Sequence, residues 1–228
     1  RSTERVWAAI VSISHGMLAG FAHLWRRRGT MYVMTAQAGH RALYGVLTVF
    51  TLATFRGHFH NPVDYPDFGD TLGWLAGIAA AGQVGSFVAA VVTPRASRLL
   101  SPGRWVGLLM AAVTVTVAAI GFHVVPWIFV AGVAVVNVAS QGTKIVVDTS
   151  LQINCDDEYR GRLFSLNDTV FNLSFIIGMF AGATVLPADG YTPWLVFATA
   201  GGYVLLTVWY FFTASRYAPY GRVRDASV

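Results

Sequence analysis

Four charged side chains stand inside or at the edge of long apolar runs of this chain: Arg41, Lys144, Asp148 and Asp168. A cation at the centre of a membrane costs about 2.5–3.5 kcal/mol on insertion scales, so such charges are kept for pairing, proton uptake or solute binding. Lys144 and Asp148 are four residues apart and can pair on one helix face. Polar residues accompany them at helical spacing. Gln37, Arg41, Tyr44, Thr48 and Thr51 step by three or four, with His40 beside them. Asn137, Ser140, Gln141, Lys144 and Asp148 form a second stripe, and Asn167, Asp168, Asn172 and Ser174 a third. Stripes of this kind must face protein or water, not lipid. The plainer reading is that they only join helices by hydrogen bonds worth about 0.6 kcal/mol each.

The elements that must carry these stripes are membrane-length. A spanning helix needs about 20 mostly apolar residues. Six runs qualify, at 31–55, 72–92, 105–122, 126–147, 163–186 and 194–214. The third and fourth are separated at Gly121 to Pro126, because Gly closes helices and Pro opens them. Pro187 to Pro193 is a turn by composition. Thr93 to Arg98 and the charged segment Asp156 to Arg162 read as loops. The chain is 55% hydrophobic and 12% charged, where a soluble domain carries about 25% charged residues. The expected fold is therefore an all-α polytopic membrane protein with six transmembrane helices.

Sidedness follows from arginine. With six spans both ends share a side, and that side receives Arg1, Arg5, Arg26 to Arg28, Arg95, Arg98, Arg104, Arg160, Arg162, Arg216, Arg222 and Arg224. The other side receives Arg56. The positive-inside rule puts both ends in the cytoplasm. Residues 3–25 place apolar side chains near helical spacing and are followed by Arg26-Arg27-Arg28, which reads as an amphipathic helix on the cytoplasmic surface. A seventh span is the rival reading. The expected domains are a linker at 1–30, a six-helix bundle at 31–215 and a cytoplasmic tail at 216–228.

Several function classes are excluded by pattern. The net charge of +5 is spread over the ends of apolar runs, so it is no nucleic-acid footprint. Cys155 is the one cysteine, which rules out an internal disulfide framework. No H-E-x-x-H, G-x-S-x-G or P-loop occurs, so nothing nominates an enzyme, and no cofactor is expected. His58, His60, Asp64, Asp67 and Asp70 lack the spacing of a metal site, and a solvated loop is the expectation. The chain starts at Arg with no signal-peptide pattern, and reads as a portion of something longer. Only Lys144 is a lysine among 16 basic residues, a bias of high-GC bacterial genomes.

The segment from Asp148 to Phe175 resembles the connection between the tenth and eleventh helices of major facilitator superfamily transporters, bacterial drug and siderophore exporters in particular. The residues that carry it are Asp148, Leu151 and Gln152, then Arg160-Gly161-Arg162, Phe164, Ser165 and Asp168. The string from Gly16 to Thr30 resembles the linker before the seventh helix, which favours the surface helix for residues 3–25. Thr93 to Arg98 is similar to a degraded copy of that family's G-x-x-x-D-R-x-G-R-R gating loop, without its Asp.

The resemblance implies the C-terminal six-helix half of an exporter in a bacterial plasma membrane. It implies a partner, either an N-terminal six-helix half or another membrane subunit, with the bilayer around both. The distribution of polar stripes matches the family, in which helices seven, eight, ten and eleven border the cavity while nine and twelve face lipid. The implied activity is secondary active, proton-coupled efflux of a small amphipathic or anionic solute by alternating access. The cavity would be lined by Gln37, His40, Arg41, Tyr44, Thr48, Asn137, Gln141, Lys144 and Asn172. Arg95, Arg98, Asp148, Arg160, Arg162 and Asp168 would form a charge latch on the cytoplasmic face. The alternative is a transporter-like scaffold subunit that moves nothing, and an intramembrane enzyme is a distant third.

Overall fold

The computed structural model describes residues 28–60, 71–187 and 190–213. The expected linker helix, the acidic part of the 61–70 loop and the tail lie outside them. Six long helices follow one another: α1 (Arg28–Arg56), α2 (Thr71–Leu100), α3 (Pro102–Phe122), α4 (Pro126–Asn154), α5 (Asp157–Val185) and α6 (Pro193–Thr213), with one 3-10 turn at His58–His60. The architecture is all-α, and α2 to α6 are long and apolar enough to cross a membrane. α1 is as long as α4, but its polar stripe lowers its hydropathy.

Proline starts α3, α4 and α6; at that position its missing N–H would have been unpaired anyway. Ser101 alone joins α2 to α3, and this sharp reversal holds it at φ 70, a strained conformation for a residue with a side chain. His123 to Val125 separate α3 from α4, where the Gly121–Pro126 pattern put the break.

Two segments that read as loops are helical. α2 continues through Pro94 to Leu100. Thr93 is buried there, accepting from Trp105 Nε1 at 3.2 Å and, through its carbonyl, from Ser97 Oγ at 2.6 Å. The first bond ties the stretch to α3, and the second supports the turn around Pro94. α5 begins at Asp157, so Arg160 and Arg162 sit in its first turns. Asp157 favours the positive end of the helix and pairs with Arg160 one turn on, at 2.7 Å.

The helices pack as an internal repeat. α1 lies against α5 and α2 against α4, the two most extensive contacts, and α3 lies against α6. Exchanging α1–α3 with α4–α6 maps this set of contacts onto itself, as expected of two related three-helix units. Glycine makes the first two contacts close. A Cβ on Gly178 would run into the Ala42 carbonyl, one on Gly45 into the Phe175 carbonyl, and one on Gly85 into the Ala134 carbonyl. Gly182 adjoins Val46, whereas Gly77 faces open space. α2 and α5 leave wide apolar faces uncovered, with Phe87 and Phe180 each 71% exposed.

Candidate functional site

The site forms where α1, α4 and α5 meet. α4 brings Lys144 and Asp148 to one face, one turn apart, and the expected pair is present at 3.4 Å. α5 adds Asp168, whose Oδ1 lies 2.7 Å from the Lys144 ammonium. One cation is thus held by two carboxylates from two helices. Asp148 also accepts from Asn167 Nδ2 at 3.1 Å, and Asn167 Oδ1 accepts from Gln37 Nε2 of α1 at 3.1 Å. The chain Gln37–Asn167–Asp148–Lys144–Asp168 therefore links all three helices. α4 and α5 otherwise touch little, so these polar contacts are a main tie between them.

Arg41 has different surroundings. Its guanidinium carbon sits 3.9 Å from the Phe171 ring centre, 4.4 Å from Phe175 and 5.4 Å from Tyr44. Rings at this range attract a cation through their negative faces. Arg41 Nε donates to the Phe171 carbonyl at 3.4 Å and Nη1 to Ser140 Oγ at 3.5 Å, both long. Among the described residues it forms no ion pair. The Lys144 ammonium is 5.2 Å from the same Phe171 ring, so one aromatic ring adjoins both a carboxylate-paired cation and one with no ion pair among the described residues.

The other expected cavity residues divide. Tyr44 Oη accepts from Asn137 Nδ2 at 2.9 Å, which joins the α1 and α4 stripes. Thr48 bonds back to the Tyr44 carbonyl. Gln141 is half-buried on α4, and Asn172 is exposed, donating to the Asp168 carbonyl. His40 is fully buried and turns to α6, where Tyr203 Oη meets its Nδ1 at 3.1 Å. A cavity of about 80 Å³ opens beside Tyr44, Thr48 and Thr51 and is otherwise apolar. It is far below the roughly 300 Å³ of a small ligand pocket.

The latch residues are spread. Arg95 and Arg98 are exposed on α2, and no ion pair joins them to the other described residues. Asp148 and Asp168 are held by Lys144, and Arg160 by Asp157. Arg162 is exposed. Of the outer loop, His58 stacks on Tyr191 and His60 meets Thr71, and no three His, Cys, Asp or Glu gather in metal-binding range among the described residues. Phe171 and Phe175 are not marked out by the sequence because aromatics look like core. The available signal was that Asp168, Phe171 and Phe175 share one helix face at three-to-four spacing.

No family model and no solved structure matches the chain. Among curated proteins it is similar to an uncharacterized MFS-type transporter of Mycobacterium bovis and to one of Mycobacterium tuberculosis. Each is 31% identical over 209 residues, which is 90% of this chain and 45% of the relative. The chain thus spans about half the length of the curated relatives it matches.

Proposed function

The chain belongs to the major facilitator superfamily, as one half of such a transporter, and from that premise we propose that it acts as the C-terminal half of a proton-coupled exporter. It would work by alternating access against an N-terminal six-helix half, in a bacterial plasma membrane with both ends cytoplasmic. The solute is a small amphipathic anion. The observation that carries this reading is Arg41, a half-buried cation with no carboxylate partner among the described residues, set among three aromatic rings. A bare guanidinium can receive a carboxylate two-pronged, while Phe171, Phe175 and Tyr44 would cover an apolar body. Lys144 cannot serve in the same way, because Asp148 and Asp168 already more than offset its charge.

The test uses the full-length protein in detergent and in liposomes, with a set of aromatic carboxylates and their uncharged amides as probes. Carboxylates should raise the melting temperature and their amides should not, and Arg41→Gln should remove the difference. Equal stabilisation by both sets, or a carboxylate effect that survives Arg41→Gln, would remove Arg41 from solute binding. The scaffold reading is separated by counterflow: a protein that binds no probe and exchanges none across the bilayer is not a transporter for this class.

A further inference from the structure

The charges around Lys144 do not balance. Asp148 of α4 and Asp168 of α5 share its single ammonium. Arg41 of α1 lies against the same Phe171 ring as Lys144 but pairs with neither carboxylate, and His40 of α1 turns to Tyr203 of α6. With every group ionised the cluster of Lys144, Asp148 and Asp168 carries one net negative charge in a partly buried place. Asp148 is the less exposed carboxylate, 30% against 59%, and the more loosely paired, at 3.4 against 2.7 Å. Lys144 therefore serves it less well than it serves Asp168, and Asn167 supplies its second hydrogen bond.

A second feature points to the same residue. The amide chain behind Asp148 has a direction: Gln37 donates to Asn167, and Asn167 donates to Asp148. That order requires Asp148 to accept, as an ionised carboxylate does, whereas a protonated one can also donate. Gln37 is 1% exposed, and its Oε1 has no hydrogen-bond partner among the described residues. If Asp148 donated its O–H to Asn167 Oδ1, the turned amide would offer Nδ2 onward. Gln37, turned likewise, would receive it on the oxygen that now lacks a donor.

We propose that Asp148 is a proton-binding site whose state is passed to α1 by the turning over of the Asn167 and Gln37 amides. A proton arriving from water on the open face adds to an Asp148 oxygen, and Lys144 stays paired with Asp168 alone. The inference rests on the transporter reading for its use, the linking of proton uptake to helix α1, but not for its chemistry.

The test is solute-free and uses the full-length protein in liposomes at about pH 5 and about pH 8, which brackets a partly buried carboxyl group. Infrared difference spectra read protonated carboxyl. Side-chain amide NMR with labelled glutamine reads Gln37, identified as the signal lost in Gln37→Met. The parent should show a carboxyl band at the lower pH and a pH-dependent Gln37 signal. Asp148→Asn should lose both, and Asp168→Asn should keep the band. Asn167→Leu should keep the band and lose the response of Gln37. A band that survives Asp148→Asn would overturn the site, and a Gln37 response that survives Asn167→Leu would overturn the relay. Both readouts can succeed in a protein that moves no solute, so their failure and that of the transport reading are told apart.

Discussion

The residues divide by how much of their setting is local. The Lys144–Asp148 pair was legible because both partners lie on one helix. Asp168 joins it from 24 residues away, through the docking of α5, which spacing along one helix cannot reveal. His40 shows the opposite limit. It adjoins Arg41 in sequence, but successive helical residues point about 100° apart, and that turn takes it from the open face to Tyr203 of α6. The proposed latch among Arg95, Arg98, Asp148, Arg160, Arg162 and Asp168 would require an access state in which Lys144 has released a carboxylate. Exposed ion pairs contribute about 0–1 kcal/mol, so the latch matters only if it closes away from water. Asp168 is the better partner for a charge swap, since Lys144 then keeps Asp148. Arg95→Asp should reduce transport by the full-length protein, and adding Asp168→Arg should recover part of it. No recovery at normal expression would leave Arg95 a topology determinant.

At the scale of elements, composition located the helices well and their ends less well. Apolar length and the Gly–Pro break gave all six, yet the ends of α2 and α5 ran further than polarity suggested. Buried Thr93 carries the helix past Pro94, and Asp157 starts a helix among charges. Pairing was less legible still. Glycine repeats at 73–77 and 178–182 look alike in sequence, but Gly178 touches the α1 backbone while Gly77 faces open space. A side chain at Gly178 must push α5 off α1, and overpacking of this kind costs about 1–3 kcal/mol. Gly178→Val should therefore lower the stability of the bundle by about that much, or more, while Gly77→Val changes it by less than about 0.5 kcal/mol. Thermal unfolding in detergent, read by loss of helix signal, distinguishes the two. Equal behaviour of the variants would mean that the α1–α5 contact does not depend on close backbone approach.

The whole molecule has two distinguishable ends, and side-chain contacts identify them. At one, Asn154 of α4 bonds Thr30 of α1 and Tyr32 of α1 meets Trp209 of α6. At the other, Trp74 of α2 meets Trp127 of α4 and His58 stacks on Tyr191. Aromatic pairs of this kind suit the two membrane–water interfaces. The first end carries Arg28, Arg95, Arg98, Arg104, Arg160 and Arg162, and the second carries Arg56. The chain's termini lie outside the described residues, but the charge bias recurs on the helix ends that are described. It proposes the first end as cytoplasmic, and Asp157 at the α4–α5 junction is a suitable reporter because its side chain is 88% exposed. In a Cys155→Ser background, Asp157→Cys should stay unlabelled by an impermeant thiol reagent in intact cells and react once the membrane is opened. A cysteine at Trp127, 72% exposed at the other end, should show the reverse. Labelling of position 157 from outside would invert the topology. It would also place Asp148, three turns of sequence from that junction at most, nearer the outer water than the inner, and so reverse the side from which its proposed proton arrives.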